Sequence, residues 1–504
     1  MVRNLRRIDS LLSGTKADLK QRPGVLGASL FSMLTRLAQV LLQFATVIFL
    51  ARILTPSDFG LYGMVTPLIA LFLVLRDAGL GLATMQSKSL TEKQASTLFY
   101  TNVLVGFVLS ALFMFSASLV ARFYGENRLT DLIEALSVMF LFSGVRVQLE
   151  ALMFRGYRFR SVFILEILAS SVALFVSVGV ALSGFGYWAL GARQLCYEIC
   201  YTSSLFVYVG WFPRSFSMDG ETFSLFKFGV NAVLSNCIVY FLRNVDNVLI
   251  GWKFGPAQLG PYALGYRTVL LPIQQVVTPL SRVFIPHLSQ QKDDPEQFSI
   301  SYVKALRAML FLVAPPLCGV WICASELVDI LLGGQWHNTV PIVRWLVPAG
   351  VLQVAYLSAS WINFARGRAD RQLWWGLISL PVVVGGFVIG LHWGVVAVAA
   401  SYPISNALLL IPLFIYALEG TALTVRKILS AIAPAAIATA IIGVLGIYVQ
   451  NAASMRGVQE FLIVGAIGTI VMLVMLLTGL ATFDPADLLK LFGSQGLRRF
   501  KWKH

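Results

Sequence analysis

Charged side chains are scarce in this chain. Only 12% of its 504 residues are Asp, Glu, Lys or Arg, against about 25% in an average soluble domain, which excludes a mostly water-facing surface. Acid is scarcer than base, with 24 Asp and Glu against 39 Lys and Arg. Four histidines (His287, His337, His392, His504) lie far apart. Five cysteines (Cys196, Cys200, Cys237, Cys318, Cys323) sit in apolar runs without metal-site spacing. They read as small buried hydrophobes, and a zinc or disulfide framework is excluded. GxSxG, HExxH and Walker A signatures are missing, and so are their nucleophile elbow, metal-bound water and phosphate cradle. No catalytic residue is assigned, and an enzyme is not expected.

Apolar sequence is abundant: 57% of residues are hydrophobic and the mean hydropathy is +0.77. The apolar runs are continuous rather than alternating, which favours helices over a transmembrane barrel. A span needs about 20 apolar residues. Breaks at charge, Gly and Pro predict fourteen spans: 25–50, 59–82, 95–121, 128–152, 161–182, 186–210, 225–250, 260–285, 304–332, 339–364, 371–391, 394–418, 426–448 and 457–480. With the N-terminus placed in the cytoplasm, cytoplasmic segments and their flanks hold 25 of the 39 basic residues, and external loops hold five. Losing one span would invert every later loop, so this charge bias supports an even count with both termini cytoplasmic. Basic loops against an anionic leaflet explain the net charge of +15, and no nucleic acid is needed. The first 24 residues lack the apolar core of a signal peptide. They read as either a short surface helix or a disordered basic tail.

An internal repeat is legible. Ala51–Met64 and Gly251–Leu264 share Pro56/Pro256, Gly60/Gly260 and Tyr62/Tyr262 at an offset of 200. Weaker echoes pair Arg155-Gly156-Tyr157-Arg158 with Arg366-Gly367-Arg368, and Gly186 with Gly394. Together they lay spans 1–6 over spans 7–12. The expected fold class is therefore an all-α polytopic membrane protein with about 14 transmembrane helices. Two six-helix lobes are related by a pseudo-two-fold along the membrane normal, with two extra C-terminal helices. The corresponding divisions are a basic N-terminal tail (1–24), an N-lobe (25–210), a C-lobe (211–418), spans 13–14 (419–480) and a basic C-terminal tail (481–504).

Nine arginines fall within spans, where each costs about 2.5–3.5 kcal/mol at the bilayer centre on insertion scales. Arg76, Arg146, Arg282 and Arg307 lie toward cytoplasmic ends, within reach of the interface by snorkelling. Arg36 belongs to a stripe of Ser29, Ser32, Arg36, Gln39, Gln43 and Thr46, spaced for one helix face. Span 7 carries Asn236, Tyr240, Arg243 and Asn247. Span 8 carries Arg267, Gln274 and Thr278, span 10 carries Gln353 and Arg344, and span 6 carries Arg193. Such faces need a wet cavity or a protein neighbour. A guanidinium fork matches phosphate oxygens and keeps its charge, so a cavity lined by Arg36, Gln39, Gln43, Arg193, Asn236, Arg243, Arg267, Gln274 and Arg344 suits a large anion. Internal pairing, Arg146 with Glu150 or Arg243 with Asp246, is the other role open to individual arginines. The acids Asp246, Glu198 and Glu166 are candidates for coupling to a proton or sodium gradient. No other cofactor is expected.

At the segments Ala51–Met64, 225–230, Tyr240–Leu264, Ile285–Gln290 and Leu331–Trp336, the chain resembles the Wzx-like polysaccharide flippases of the multidrug/oligosaccharidyl-lipid/polysaccharide exporter superfamily. It is most similar to the group exporting colanic acid and succinoglycan repeat units. The resemblance implies a cationic vestibule in a bacterial inner-membrane protein. It implies an undecaprenyl-diphosphate-linked oligosaccharide flipped from cytoplasm to periplasm. It also implies a substrate role for Arg36, which matches an arginine of the related lipid II flippases, and a polysaccharide polymerase and export complex as partners. A drug/cation antiporter of the same superfamily would favour acidic cavity faces, whereas arginine outweighs acid here. A membrane sugar polymerase or ligase would need a large external loop, and those predicted here span about 3–13 residues.

Overall fold

The computed structural model describes residues 25–76, 81, 84–85, 90–214, 244–452 and 458–478. Among them there is no strand. The long helices are α1 (Val25–Ile53), α2 (Pro56–Arg76), α3 (Glu92–Tyr124), α4 (Arg128–Arg155), α5 (Phe159–Leu182) and α6 (Trp188–Val209), then α7 at 244–254. They continue with α8 (Pro256–Ser289), α9 (Pro295–Ile322), α10 (Val340–Ala365), α11 (Ala369–Gly390), α12 (Val395–Leu418), α13 (Val425–Ala452) and α14 (Val458–Leu477). Among the described residues, ten are long and apolar enough to cross a membrane by length and composition. α6 has the length, 22 residues, but is not among those ten. The predicted tails and most of span 7 lie outside the described residues.

Most span boundaries fall within a few residues of expectation, but span 9 is displaced. The helix covers Pro295–Ile322 rather than 304–332. Asp294 caps it by accepting the backbone N–H groups of Glu296 and Gln297, with Pro295 at the first helical position. The polar first turns hid this start from a search for apolar runs. The chain breaks at Cys323 into a short helix, Ala324–Leu331, and a 3-10 turn, Gly334–Thr339. The connection before α10 is thus longer and more ordered than predicted. The described cysteines are also less buried than expected: Cys323 is buried, while Cys196, Cys200 and Cys318 are half-buried; Cys237 lies outside the described residues.

The chain forms two compact units, Met1–Gly260 and Pro261–His504. In the first, α3 packs on α4, α5 on α6, α4 on α6, and α1 on α5. Small residues set the α3–α4 approach. A Cβ on Gly106 would lie 2.6 Å from the Phe140 carbonyl oxygen, and one on Gly144 would lie 2.6 Å from that of Asn102. Phe72, Phe113 and Phe140 fill the space beside that crossing, with ring centroids 4.9–5.5 Å apart. In the second unit α10 packs on α12, α9 on α13 and α10, and α13 on α14. There Tyr302 Oη and Ser358 Oγ lie 3.0 Å apart, and Trp361 Nε1 donates to Ser281 Oγ at 2.9 Å. Both bonds satisfy polar groups that apolar surroundings would otherwise strand.

The repeat at offset 200 has a physical counterpart inside the first unit. A Cβ on Gly60 would sit 1.7 Å from the carbonyl oxygen of Pro256, and a Cβ on Gly260 would sit 2.0 Å from that of Pro56. Each copy's proline therefore packs on the other copy's glycine. Tyr62 and Tyr262 are both buried.

Candidate functional site

Three helices of the first unit enclose a polar cavity of about 220 Å³. α1 contributes Gln39, Leu42, Gln43 and Thr46, α5 contributes Glu166, Ser170 and Ala173, and α6 contributes Arg193, Gln194 and Tyr197. The α1 members repeat at three and four residues, so one helical face supplies them all. α5 and α6 meet through a tight turn in which Gly184 and Gly186 take φ of +84° and +52°. Asp58, at the start of α2, holds that turn. Its carboxylate accepts the Tyr187 backbone N–H at 2.9 Å and the Thr55 N–H at 3.0 Å. This fixes where α6 begins and hence where Arg193 falls.

Four of the predicted site residues, Gln39, Gln43, Glu166 and Arg193, are thereby brought together. Arg36 is in α1 one turn before Gln39, and its side chain lies outside the described residues. Asn236 and Arg243 lie wholly outside them.

Glu198 does not line the cavity. It is buried behind it, with Oε2 3.4 Å from Arg146 Nη1. Arg146 Nε also lies 3.8 Å from Glu150 Oε2 on its own helix. The assignment of Arg146 to interface snorkelling is therefore corrected. Its side chain is 11% exposed, because α6 places a carboxylate against it at mid-helix. Two carboxylates share this one guanidinium. Arg146 lies over the ring of Tyr201 at 5.5 Å, and Tyr201 stacks on Tyr197 at 5.7 Å. The ionic cluster thus backs the aromatic wall of the cavity. The (i, i+4) pair was legible in the sequence. The partner 52 positions away was not, and nor were the roles of Gln194, Tyr197 and Tyr201.

The remaining predicted residues stand elsewhere. Asp246 is buried on α7, and its Oδ1 accepts the backbone N–H and side-chain amide of Asn247 at 2.8 and 3.2 Å. Arg267 and Gln274 are half-buried on α8. Arg344 is exposed on α10, with its guanidinium 6.0 Å from the Trp321 ring. Arg307 also departs from simple snorkelling: its Nη2 donates to the Ser430 carbonyl at 3.1 Å, tying α9 to α13. A second, apolar cleft of about 760 Å³ runs between α2, α3 and α7, walled by Leu68, Leu71, Phe123 and Val248.

A multi-pass α-helical membrane protein with a polar cavity enclosed by its helices falls in the transporter class. Comparison with known proteins is more specific. The chain belongs to the polysaccharide biosynthesis protein family, whose sequence profile matches residues 49–341. It is 26% identical over 334 residues to the teichuronic acid biosynthesis protein TuaB of Bacillus subtilis, covering 64% of this chain and 68% of that one. It is 23% identical to the lipopolysaccharide biosynthesis protein WzxC of Escherichia coli, covering 68% of this chain and 70% of that one. It is 24% identical to the succinoglycan biosynthesis transport protein ExoT of Rhizobium meliloti, covering 71% and 73%. These matches bear out the resemblance read from the sequence. Among solved structures, the fold is that of the inward closed lipid II flippase MurJ, with a TM-score of 0.66 at 17% identity, covering 88% of this chain and 97% of that one. An inward-facing multidrug resistance MATE family transporter shares it at a TM-score of 0.61 and 13% identity, covering 76% and 97%.

Proposed function

We propose that this protein is a flippase that moves a polyprenyl-diphosphate-linked oligosaccharide from the cytoplasmic to the periplasmic leaflet of a bacterial inner membrane. The product feeds exopolysaccharide or lipopolysaccharide biosynthesis. The polar α1–α5–α6 cavity, set in a chain of the polysaccharide biosynthesis family, carries this reading. A hydrophilic head group crossing hydrocarbon needs such a wet surface, and the apolar α2–α3–α7 cleft suits the lipid chain that accompanies it. Transport proceeds by alternating access between two six-helix lobes, with helices 13–14 appended and both termini cytoplasmic. A polymerase and export complex consumes the product on the periplasmic side. Arg36, with Arg243, Arg267 and Arg344, holds the diphosphate, and Arg193 contributes to binding the rest of the head group. A proton or sodium gradient drives the cycle, with Asp246, Glu198 and Glu166 as the groups that sense it. For a drug/cation antiporter, an acidic cavity would be expected; here Arg193 balances Glu166. Deletion of the gene tests the reading. Complete lipid-linked units should accumulate on the cytoplasmic leaflet, and Arg36→Ala at wild-type expression should block export. Unpolymerised units facing the periplasm would overturn it in favour of a polymerase.

A further inference from the structure

The described lining of the α1–α5–α6 cavity is not that of a diphosphate site. A diphosphate only accepts hydrogen bonds, so a site built for it presents donors and positive charge. Among the described residues, this cavity holds one arginine, Arg193, against one carboxylate, Glu166, and its remaining polar wall is dominated by amides: Gln39, Gln43 and Gln194. A primary amide offers two donors and a carbonyl acceptor side by side. A sugar hydroxyl likewise both donates and accepts, so amides and hydroxyls match in both directions. The Nε2 of Gln39 is buried with no hydrogen-bond partner among the described residues, so this amide gains a bond by turning toward a ligand.

The aromatic wall of the cavity is Tyr197. Its ring forms part of the wall and is stacked on Tyr201, which in turn lies beneath Arg146. This stack holds the ring as a fixed aromatic plane. The C–H face of a pyranose is apolar, and a fixed aromatic plane is the surface it packs against. The volume of about 220 Å³ is many times what a single water needs, and it has room for a sugar ring. We infer that this cavity is a saccharide subsite, which reads a single sugar ring of the cargo through three glutamine amides and the Tyr197 plane. This inference rests on the proposed transport of a lipid-linked sugar and adds which part of that cargo is read here.

Purified full-length protein in lipid nanodiscs provides the test, with two probes: undecaprenyl diphosphate, and the same lipid carrying one hexose. The wild type should bind the glycosylated probe more tightly than the bare one. Gln39→Leu and Gln194→Leu should each lose about two- to tenfold in affinity for the glycosylated probe, the worth of a neutral hydrogen bond, with no loss for the bare one. Tyr197→Phe should keep the preference and Tyr197→Leu should lose it, so a folded variant with the ring intact controls for structural damage. Equal losses for both probes would overturn the saccharide subsite, as would a wild type that binds both probes equally. Binding of neither probe would overturn the proposed function itself.

Discussion

Replacing Gly60 with alanine is expected to destabilise the protein through a single crossing of two backbones. The new Cβ would meet the Pro256 carbonyl oxygen at 1.7 Å, and the equivalent change at Gly260 would meet that of Pro56 at 2.0 Å. Ordinary contact begins at 3.4 Å, so the helix starts must part by about 1.7 Å in one case and about 1.4 Å in the other. Both obstacles are backbone atoms, and neither can rotate away. Overpacking of this kind costs about 1–3 kcal/mol, whereas a glycine-to-alanine change in an open helix interior gains up to about 1 kcal/mol. Because both clashes occupy one crossing, the displacement forced by the first substitution removes much of the second clash. The double variant should therefore be less destabilised than the sum of the singles, by about 0.5–3 kcal/mol of coupling. Thermal melts in detergent, at matched expression, give the ranking. Gly376→Ala is the control, since a Cβ there meets nothing within 4 Å. Gly60→Ala melting with the wild type, or singles that add without coupling, would refute the reciprocal packing of the repeat.

Arg146→Ala should destabilise strongly, by about 3–5 kcal/mol, because it leaves a buried carboxylate without its counter-ion; adding Glu198→Gln should restore part of the melting temperature. No change on Arg146→Ala would show that the cluster is not buried as described. Asp58→Ala should cost about 1–3 kcal/mol, since two backbone donors lose their acceptor. Hydrogen exchange at the Tyr187 amide should accelerate, and an unchanged rate would sink the proposed locking of the α5–α6 turn.

Much of this architecture was legible because membrane helices announce themselves by length and apolarity. Span 4 was expected at 128–152 and α4 covers Arg128–Arg155; span 12 was expected at 394–418 and α12 covers Val395–Leu418. The start of α9 was missed because its signal is a cap, Asp294-Pro295, and not hydropathy. Within the cavity, the α1 stripe was legible since polar groups recur along one helix face at spacings of three and four residues. α6 was harder. Arg193, Gln194, Tyr197 and Glu198 occupy more than one face, and periodicity alone does not say which side meets α1 and α5. Arg146 was misassigned for a related reason. Its nearest carboxylate by distance in space, Glu198, comes from another helix, and local spacing rules see only Glu150.

The repeat itself separates packing from capping. Its two copies share the proline and the glycine that form the crossing, and a buried tyrosine, but Thr55 and Asp58 correspond to Gly255 and Gln258. Only the first copy therefore carries a threonine cap and a carboxylate to hold the neighbouring turn; Gly255 instead meets its turn with φ of +77°. A similar division separates the helices. α6, 22 residues long, falls short of the apolarity a lipid-facing span requires, and it carries Arg193 and Glu198. A helix of membrane length that fails on hydropathy must be wrapped by protein or water over much of its surface. In α6 that wrapping is visible: Arg193, Gln194 and Tyr197 turn to the cavity, and Glu198 turns to Arg146. The shortfall in hydropathy is thus itself a marker of the site, because the residues that lower it are those a polar cavity and a buried counter-ion have already accommodated.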